Sequence, residues 1–215
     1  MESAIKIENV SLTIKDTEIL KNITMELEQG KIHGLVGRNG SGKTMLMKCI
    51  CGFVKVTSGR ILVENKVVGK DIDFPQNIGF IIETPGFIPY YSGYKNLLLL
   101  AGLNNKIQKE AVQKAMEAVG LDYKLKRAVK KYSLGMRQRL GIAQAIMEEP
   151  SILILDEPFN GLDKEGVAEM RNYFLKLKEE GTTILVCSHS TDDIRVLCDT
   201  VSEMDKGTLK RLEGK

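Results

Sequence analysis

Long hydrophobic runs are missing from this sequence. No stretch approaches the roughly 18–20 consecutive apolar residues that a bilayer-spanning helix needs. The longest apolar cluster, residues 97–103, is far shorter and is interrupted by Gly102. The opening MESAIKIENV has no basic stretch followed by an apolar one, so no secretory leader is expected in it, and no lipidation motif is seen. A link to a membrane is therefore expected to run through another chain. Charge of one sign is scarce too. The 31 basic and 28 acidic residues leave a formal net charge of +3, too near balance to argue for a nucleic-acid partner. Cysteine is sparse: Cys49, Cys51, Cys187 and Cys198 form no C-x-x-C pair and have no zinc-like spacing with histidine. They are expected to be buried, reduced thiols. Internal repeats and low-complexity linkers are absent as well.

What remains is ordinary globular protein. The 215 residues, 43% hydrophobic and 27% charged, suit one large domain with a substantial core. The first third reads as short strands. Residues 5–10 alternate in part, Ile23, Met25 and Leu27 alternate cleanly, and residues 32–36 form a short apolar run typical of a buried strand. A helix is expected over 43–51, and strands over 60–64 and 78–82. Pro85, Pro89 and Gly93 then break the chain. Residues 95–119 carry a helical pattern, with Ile107, Ala111, Val112, Ala115 and Val119 at helical spacing, and look like a helical insertion. Further on, helices over about 135–147 and 164–180 precede apolar runs at 152–155 and 183–187. Helices alternating with apolar runs predict a largely parallel sheet.

Between the strand at 32–36 and its helix lies Gly37-Arg38-Asn39-Gly40-Ser41-Gly42-Lys43-Thr44, a full match to G-x-x-x-x-G-K-[ST]. The glycines let successive backbone N–H groups turn toward one anion, and the following helix offers its free N–H groups and positive end. Lys43 adds a point charge for the β- and γ-phosphates, and the Thr44 hydroxyl suits Mg²⁺. This pattern reads as a nucleoside triphosphate site.

Ser151-Ile152-Leu153-Ile154-Leu155-Asp156-Glu157-Pro158 is an apolar strand ending in two acids. Asp156 is expected at the carboxyl end of the sheet, where such folds bind ligands, placed to hold Mg²⁺. Glu157 follows and can polarise a water for in-line attack. His189 follows the strand at 183–187 and is expected at the same crevice, whereas His33, inside an early strand, is expected to be structural.

The order of these elements resembles the nucleotide-binding domains of ABC transporters, from about residue 5 to 212. The most specific piece is Tyr132-Ser133-Leu134-Gly135-Met136-Arg137-Gln138-Arg139-Leu140, similar to the family's L-S-G-G-Q signature segment followed by Q-R. Asn160-Gly161-Leu162-Asp163 resembles its D-loop, and His189 matches its switch histidine. The resemblance implies an α/β fold: a P-loop NTPase core with a mostly parallel sheet, an N-terminal antiparallel β-subdomain and an inserted α-helical subdomain. It divides one domain over 1–215 into a core (1–84 and 135–215) and a helical part (85–134). It also implies ATP with Mg²⁺, and a head-to-tail dimer in which Ser133 and the N–H groups near Gly135 cap the γ-phosphate held by the other copy. The implied phosphate-loop contacts are Gly37, Asn39, Gly40, Ser41, Gly42, Lys43, Thr44 and Met45. Implied catalytic residues are Glu157, His189, Glu83 and Asp163, and implied metal contacts are Thr44, Asp156 and Glu83.

Four positions depart from the family pattern. Leu134 and Met136 stand in the signature where Gly and Gln are usual. Glu83 replaces a glutamine that reaches Mg²⁺ and water. Ile14 stands where an aromatic residue stacks on adenine, and Met45 stands where a second hydroxyl is common. The Glu83 change together with Ser-Leu-Gly-Met is similar to the ATPase subunits of bacterial exporters for bacitracin and lantibiotic-type peptides. That likeness implies a cytoplasmic ATPase, peripheral on the inner face of the cell membrane, that works with separate integral-membrane permease subunits and a second ATPase subunit, expected to be a second copy. Membrane contact is then expected only through the permease, with no nucleic acid involved. A soluble, non-transport ABC ATPase is the alternative reading. The aromatic and apolar residues Phe87, Ile88, Tyr90, Tyr91 and Tyr94 fall where the family receives its permease. The basic cluster Lys124, Lys126, Arg127, Lys130 and Lys131 reads as a solvated face or one near the membrane.

Overall fold

A computed structural model describes residues 2–104 and 107–212. Two sheets organise it. The long hairpin β1 (Ser3–Ile14) and β2 (Thr17–Glu28) joins β4 (Ser58–Val63) and β5 (Lys66–Val67) in an antiparallel sheet of order β2-β1-β4-β5. The second sheet has six strands. Five run parallel in the order β9 (Thr200–Asp205), β3 (Ile32–Val36), β8 (Thr183–Cys187), β7 (Ile152–Asp156) and β6 (Ile78–Ile81). The edge strand β10 (Thr208–Leu212) pairs antiparallel with β9. This is the P-loop NTPase architecture expected from the sequence, with the first two strands longer than their alternation suggested.

Strands β3, β7 and β8 are buried over nearly all their length and mostly apolar because the sheet is covered on both faces. Leu153 and Leu155 of β7 enter a core shared with helices α4 (Leu134–Ile146) and α5 (Lys164–Glu179). Ile152 and Ile154, one residue out of phase, enter a second core with the antiparallel sheet and helix α1 (Lys43–Ile50). With both faces filled, a ligand has access at the carboxyl edge, where β3, β7 and β8 end in positions 36, 156 and 187.

The helical pattern expected as one stretch over 95–119 forms two helices, α2 (Gly93–Asn104) and α3 (Lys109–Ala118). Leu97 and Ala101 turn inward, as do Val112, Ala115 and Met116, while Leu99 and Leu103 face outward. The buried Asn96 pins the preceding turn: its amide donates to the carbonyls of Ile88 (3.1 Å) and Ser92 (3.0 Å), and its oxygen accepts from the Ile88 N–H (2.7 Å). Among the described residues no helix is long and apolar enough to cross a membrane. All four cysteines are buried thiols. Burial pushes the Cys49 and Cys51 thiols up to about 11 and about 12, which makes them poor nucleophiles. His33 is structural, with Nδ1 2.7 Å from the Thr200 hydroxyl and Nε2 3.0 Å from the Glu28 carbonyl.

Candidate functional site

The loop after β3 turns sharply because Gly37 and Gly42 adopt φ of +142° and +110°. At Gly37 a side chain has no room: a Cβ there would lie 2.1 Å from the Met204 carbonyl. Helix α1 starts at Lys43, which leaves the N–H groups of its first turn directed into the loop. Lys43 is buried, and its Nζ donates to the carbonyls of Gly37 (2.7 Å) and Arg38 (3.1 Å). Among the described residues the buried Ser41 hydroxyl has no hydrogen-bond partner. The next residue along the helix, Thr44, donates its hydroxyl to Asp156 Oδ2 at 2.8 Å, 112 positions away in sequence. Two hard oxygen donors from different elements thus stand side by side at the rim of a phosphate-sized loop. That donor set suits Mg²⁺, which takes few protein ligands and keeps water and phosphate oxygens for the rest. Among the described residues no cluster of three or more His, Cys, Asp or Glu gathers elsewhere as a metal cage.

Glu157 continues from the end of β7 in a left-handed conformation, φ +51°, uncommon for a non-glycine residue. Its N–H donates to the Cys187 carbonyl (3.1 Å), which ties it to β8. The loop after β8 returns the favour in space: the His189 N–H donates to Glu157 Oε2 (3.4 Å), and His189 Nε2 lies 3.2 Å from Oε1. That last contact is close but not aligned as a hydrogen bond, so buried Oε1 keeps a free acceptor. Burial raises the Glu157 carboxyl above its usual range, and a cationic His189 works against the rise.

A cleft of about 910 Å³ connects these groups. Asn39, Gly40, Gly42, Lys43, Thr44, Met45, Glu83, Asp156, Glu157 and His189 line it, all named from the sequence. Gly37 and Ser41 are not on this wall: Ser41 is buried, and Gly37 lines a neighbouring pocket with His189. The remaining expected residues are placed differently. Ser133 caps α4, its hydroxyl accepting from the Met136 N–H at 3.1 Å. Asp163 caps α5 and accepts from the Gly166 N–H at 2.9 Å. Neither side chain is on the cleft wall. Gly135 packs on Gly161, where a Cβ would lie 2.6 Å from the carbonyl oxygen. Leu134 leans on Gly161 too, so the start of α4 and the 160–163 loop are packed together. Ile14, the position aligned with an adenine-stacking aromatic, is exposed and off the cleft, and Ile19 lines it instead.

Three groups were not singled out by sequence reading. Gln138 donates to the carbonyls of Glu157 (3.2 Å) and Pro158 (3.0 Å), joining the signature helix to the acid. Lys48 Nζ donates to Glu83 Oε1 at 2.7 Å. Asp193, on helix α6 (Thr191–Leu197), accepts from the Ser188 hydroxyl (2.7 Å) and from Arg171 Nε (2.9 Å) behind the histidine. Their partners Glu157, Glu83 and Arg171 lie 19, 35 and 22 positions away, so no local spacing announces these pairings.

Comparison with known proteins agrees with this geometry. The family model described as ABC transporter matches residues 20–160. The ABC transporter ATP-binding protein YybJ of Bacillus subtilis (strain 168) is 42% identical over 209 residues, 97% of this chain and 96% of that protein. The bacitracin transport ATP-binding protein BcrA of Enterococcus faecalis is 43% identical over 211 residues, 97% of this chain and 68% of that one. The lantibiotic transport ATP-binding protein SrtF of Streptococcus pyogenes is 36% identical over 206 residues, 95% and 88%. Among solved structures, the dimeric cassette MJ0796 superposes with a TM-score of 0.87 at 22% identity, covering 98% of this chain and 100% of that one. With family-wide matching over most of its length, this chain belongs to the ABC transporter family and is an ATP-binding, ATP-hydrolysing subunit of it.

Proposed function

We propose that this chain is the motor of an exporter for antimicrobial peptides, hydrolysing Mg-ATP in a head-to-tail pair of ATPase subunits docked on separate membrane subunits. The observation that carries the hydrolytic part is the convergence of Lys43, the Thr44–Asp156 pair and the Glu157–His189 pair on one cleft wall. The loop N–H groups and Lys43 hold the triphosphate. Thr44 and Asp156 hold Mg²⁺, which offsets phosphate charge when bound. Glu157, with a free acceptor oxygen and a carboxyl raised by burial, takes the proton of the attacking water. His189 orients it. Ser133 and Gly135 of a second copy approach the γ-phosphate from a helix N-terminus. Asp163 contributes by fixing the start of α5 beside that interface.

The export part rests on the named activities of the bacitracin and lantibiotic relatives, and on a surface. Phe53 and Phe74 are about half exposed with their rings tilted against each other, and the Phe53 ring also meets Phe80 edge-on. Phe80 shares a groove with Leu100 and Leu103, the latter 79% exposed. An apolar surface of this kind, on a chain with no membrane-crossing helix among its described residues, fits a cytoplasmic segment of a permease. The exposed Ile88 and Tyr90 extend the set of candidates, while Tyr91 and Tyr94 are half-buried. The chain then sits at the inner face of the membrane. Affinity purification from detergent-solubilised membranes tests this reading: an integral membrane protein should co-purify, and should be lost from Phe53→Asp. Recovery of the chain alone, together with unchanged resistance to such peptides in a deletion strain, would refute it.

A further inference from the structure

Glu83 brings a negative charge to the mouth of a cleft built for a polyphosphate. Left uncompensated, that charge opposes the ligand. The carboxylate is not left loose. Lys48 Nζ donates to Glu83 Oε1 at 2.7 Å. Lys48 lies four residues past Thr44 on α1, so the two side chains share one helix face, a turn apart. The Glu83 backbone sits at φ +61°, a left-handed conformation that fixes the direction in which its side chain leaves the chain. Backbone and lysine therefore constrain the carboxylate from two independent sides. The other end of the same turn is also engaged: the Lys48 carbonyl accepts the Phe53 N–H at 2.9 Å. The pair thus stands between the phosphate-binding end of α1 and the apolar surface around Phe53.

We propose that Lys48 is a positioning residue for Glu83. Its ammonium holds the carboxylate at the cleft mouth and offsets its charge, which lets an acid occupy this place beside ATP. The proposal rests on the reading that Glu83 belongs to the ATP site. The Glu83 side chain is 63% exposed and that of Lys48 26%, so solvent screens the pair and its effect on affinity is modest, a factor of up to about five.

A double-mutant cycle on the full chain tests it. Wild type, Lys48→Met, Glu83→Gln and the double variant are compared by kcat and KM for Mg-ATP, and by calorimetric Kd for Mg-ATP. Lys48→Met should raise KM and Kd roughly three- to fivefold with a smaller change in kcat, and Lys48→Arg should restore both. In the Glu83→Gln background, Lys48→Met should add no further change, because the charge it offsets is gone. The wild-type advantage should also shrink at high salt. Equal losses from Lys48→Met in both backgrounds would overturn the proposal, since Lys48 would then act without Glu83. Unchanged KM and Kd in Lys48→Met would overturn it too. A different failure is separable: if Glu83→Gln alone leaves kcat, KM and Kd at wild-type values, the placement of Glu83 in the ATP site falls, and this inference with it.

Discussion

Replacing Asp193 by asparagine removes one charge from a buried ring of contacts and leaves its shape. Asp193 is 4% exposed. It accepts from the Ser188 hydroxyl at 2.7 Å and from both Nε and a terminal nitrogen of Arg171, a residue of α5. The Ser188 oxygen accepts the Ser190 N–H (3.1 Å), and the Ser190 hydroxyl accepts the Asp193 N–H (3.2 Å). These bonds lace residues 188–190 from behind, with His189 at the centre facing Glu157. Removing one partner of a buried ion pair costs about 3–5 kcal/mol. Asparagine keeps one oxygen for Arg171 or Ser188, so the expected loss is about 2–3 kcal/mol. For a chain of this size that lowers Tm by roughly 5–10 °C. The loosened histidine should also lower kcat on the order of tenfold while ATP affinity holds, because the phosphate loop is untouched. Thermal unfolding by circular dichroism and steady-state ATPase assays read both. A Tm within about 1 °C of wild type, with kcat unchanged, would refute the reasoning that this ring positions His189.

Two further outcomes concern protons. His189→Ala removes the cation that holds the Glu157 carboxyl down against burial but keeps the backbone N–H, so the acid limb of the pH–rate profile should move to higher pH; a limb that stays or moves down would contradict the pairing. Burial depresses the His33 imidazole, despite its bond to the Glu28 carbonyl, so the unfolded chain binds the proton more readily. Stability should therefore be full above the unfolded value near 6.5 and fall as pH drops through it, by no more than about 1.4 kcal/mol per pH unit. Denaturant midpoints at pH 7.5 and 5.5 measure this, and His33→Gln should flatten the difference.

The phosphate loop and the two acids at the end of β7 were legible in the sequence because each is a local pattern: an apolar strand, then residues whose conformation or charge has one use. The same holds for the helix starts at Ser133 and Asp163, although their side chains turn out to bond their own helices. Elements with weak patterns were not legible. Strand β10 is exposed at nearly every position, and α6 is seven residues long, so neither carries a periodicity to read. The break between α2 and α3 hides within continuous helical spacing. Pairs such as Lys48–Glu83 and Arg171–Asp193 depend on how the elements are packed, 35 and 22 positions apart, and no single-sequence pattern encodes that. Ile14 shows the reverse case, in which alignment to a family position named a residue that the fold leaves outside the cleft.

The central claim is that Glu157 hydrolyses ATP held between two copies of this chain. Its most direct test is the solution mass of Glu157→Gln by light scattering, with and without Mg-ATP. The account predicts a shift from the 23.9 kDa monomer to twice that mass with Mg-ATP, and none when Ser133→Arg is added. A Glu157→Gln protein that binds ATP yet stays monomeric, or that still turns ATP over, would contradict it.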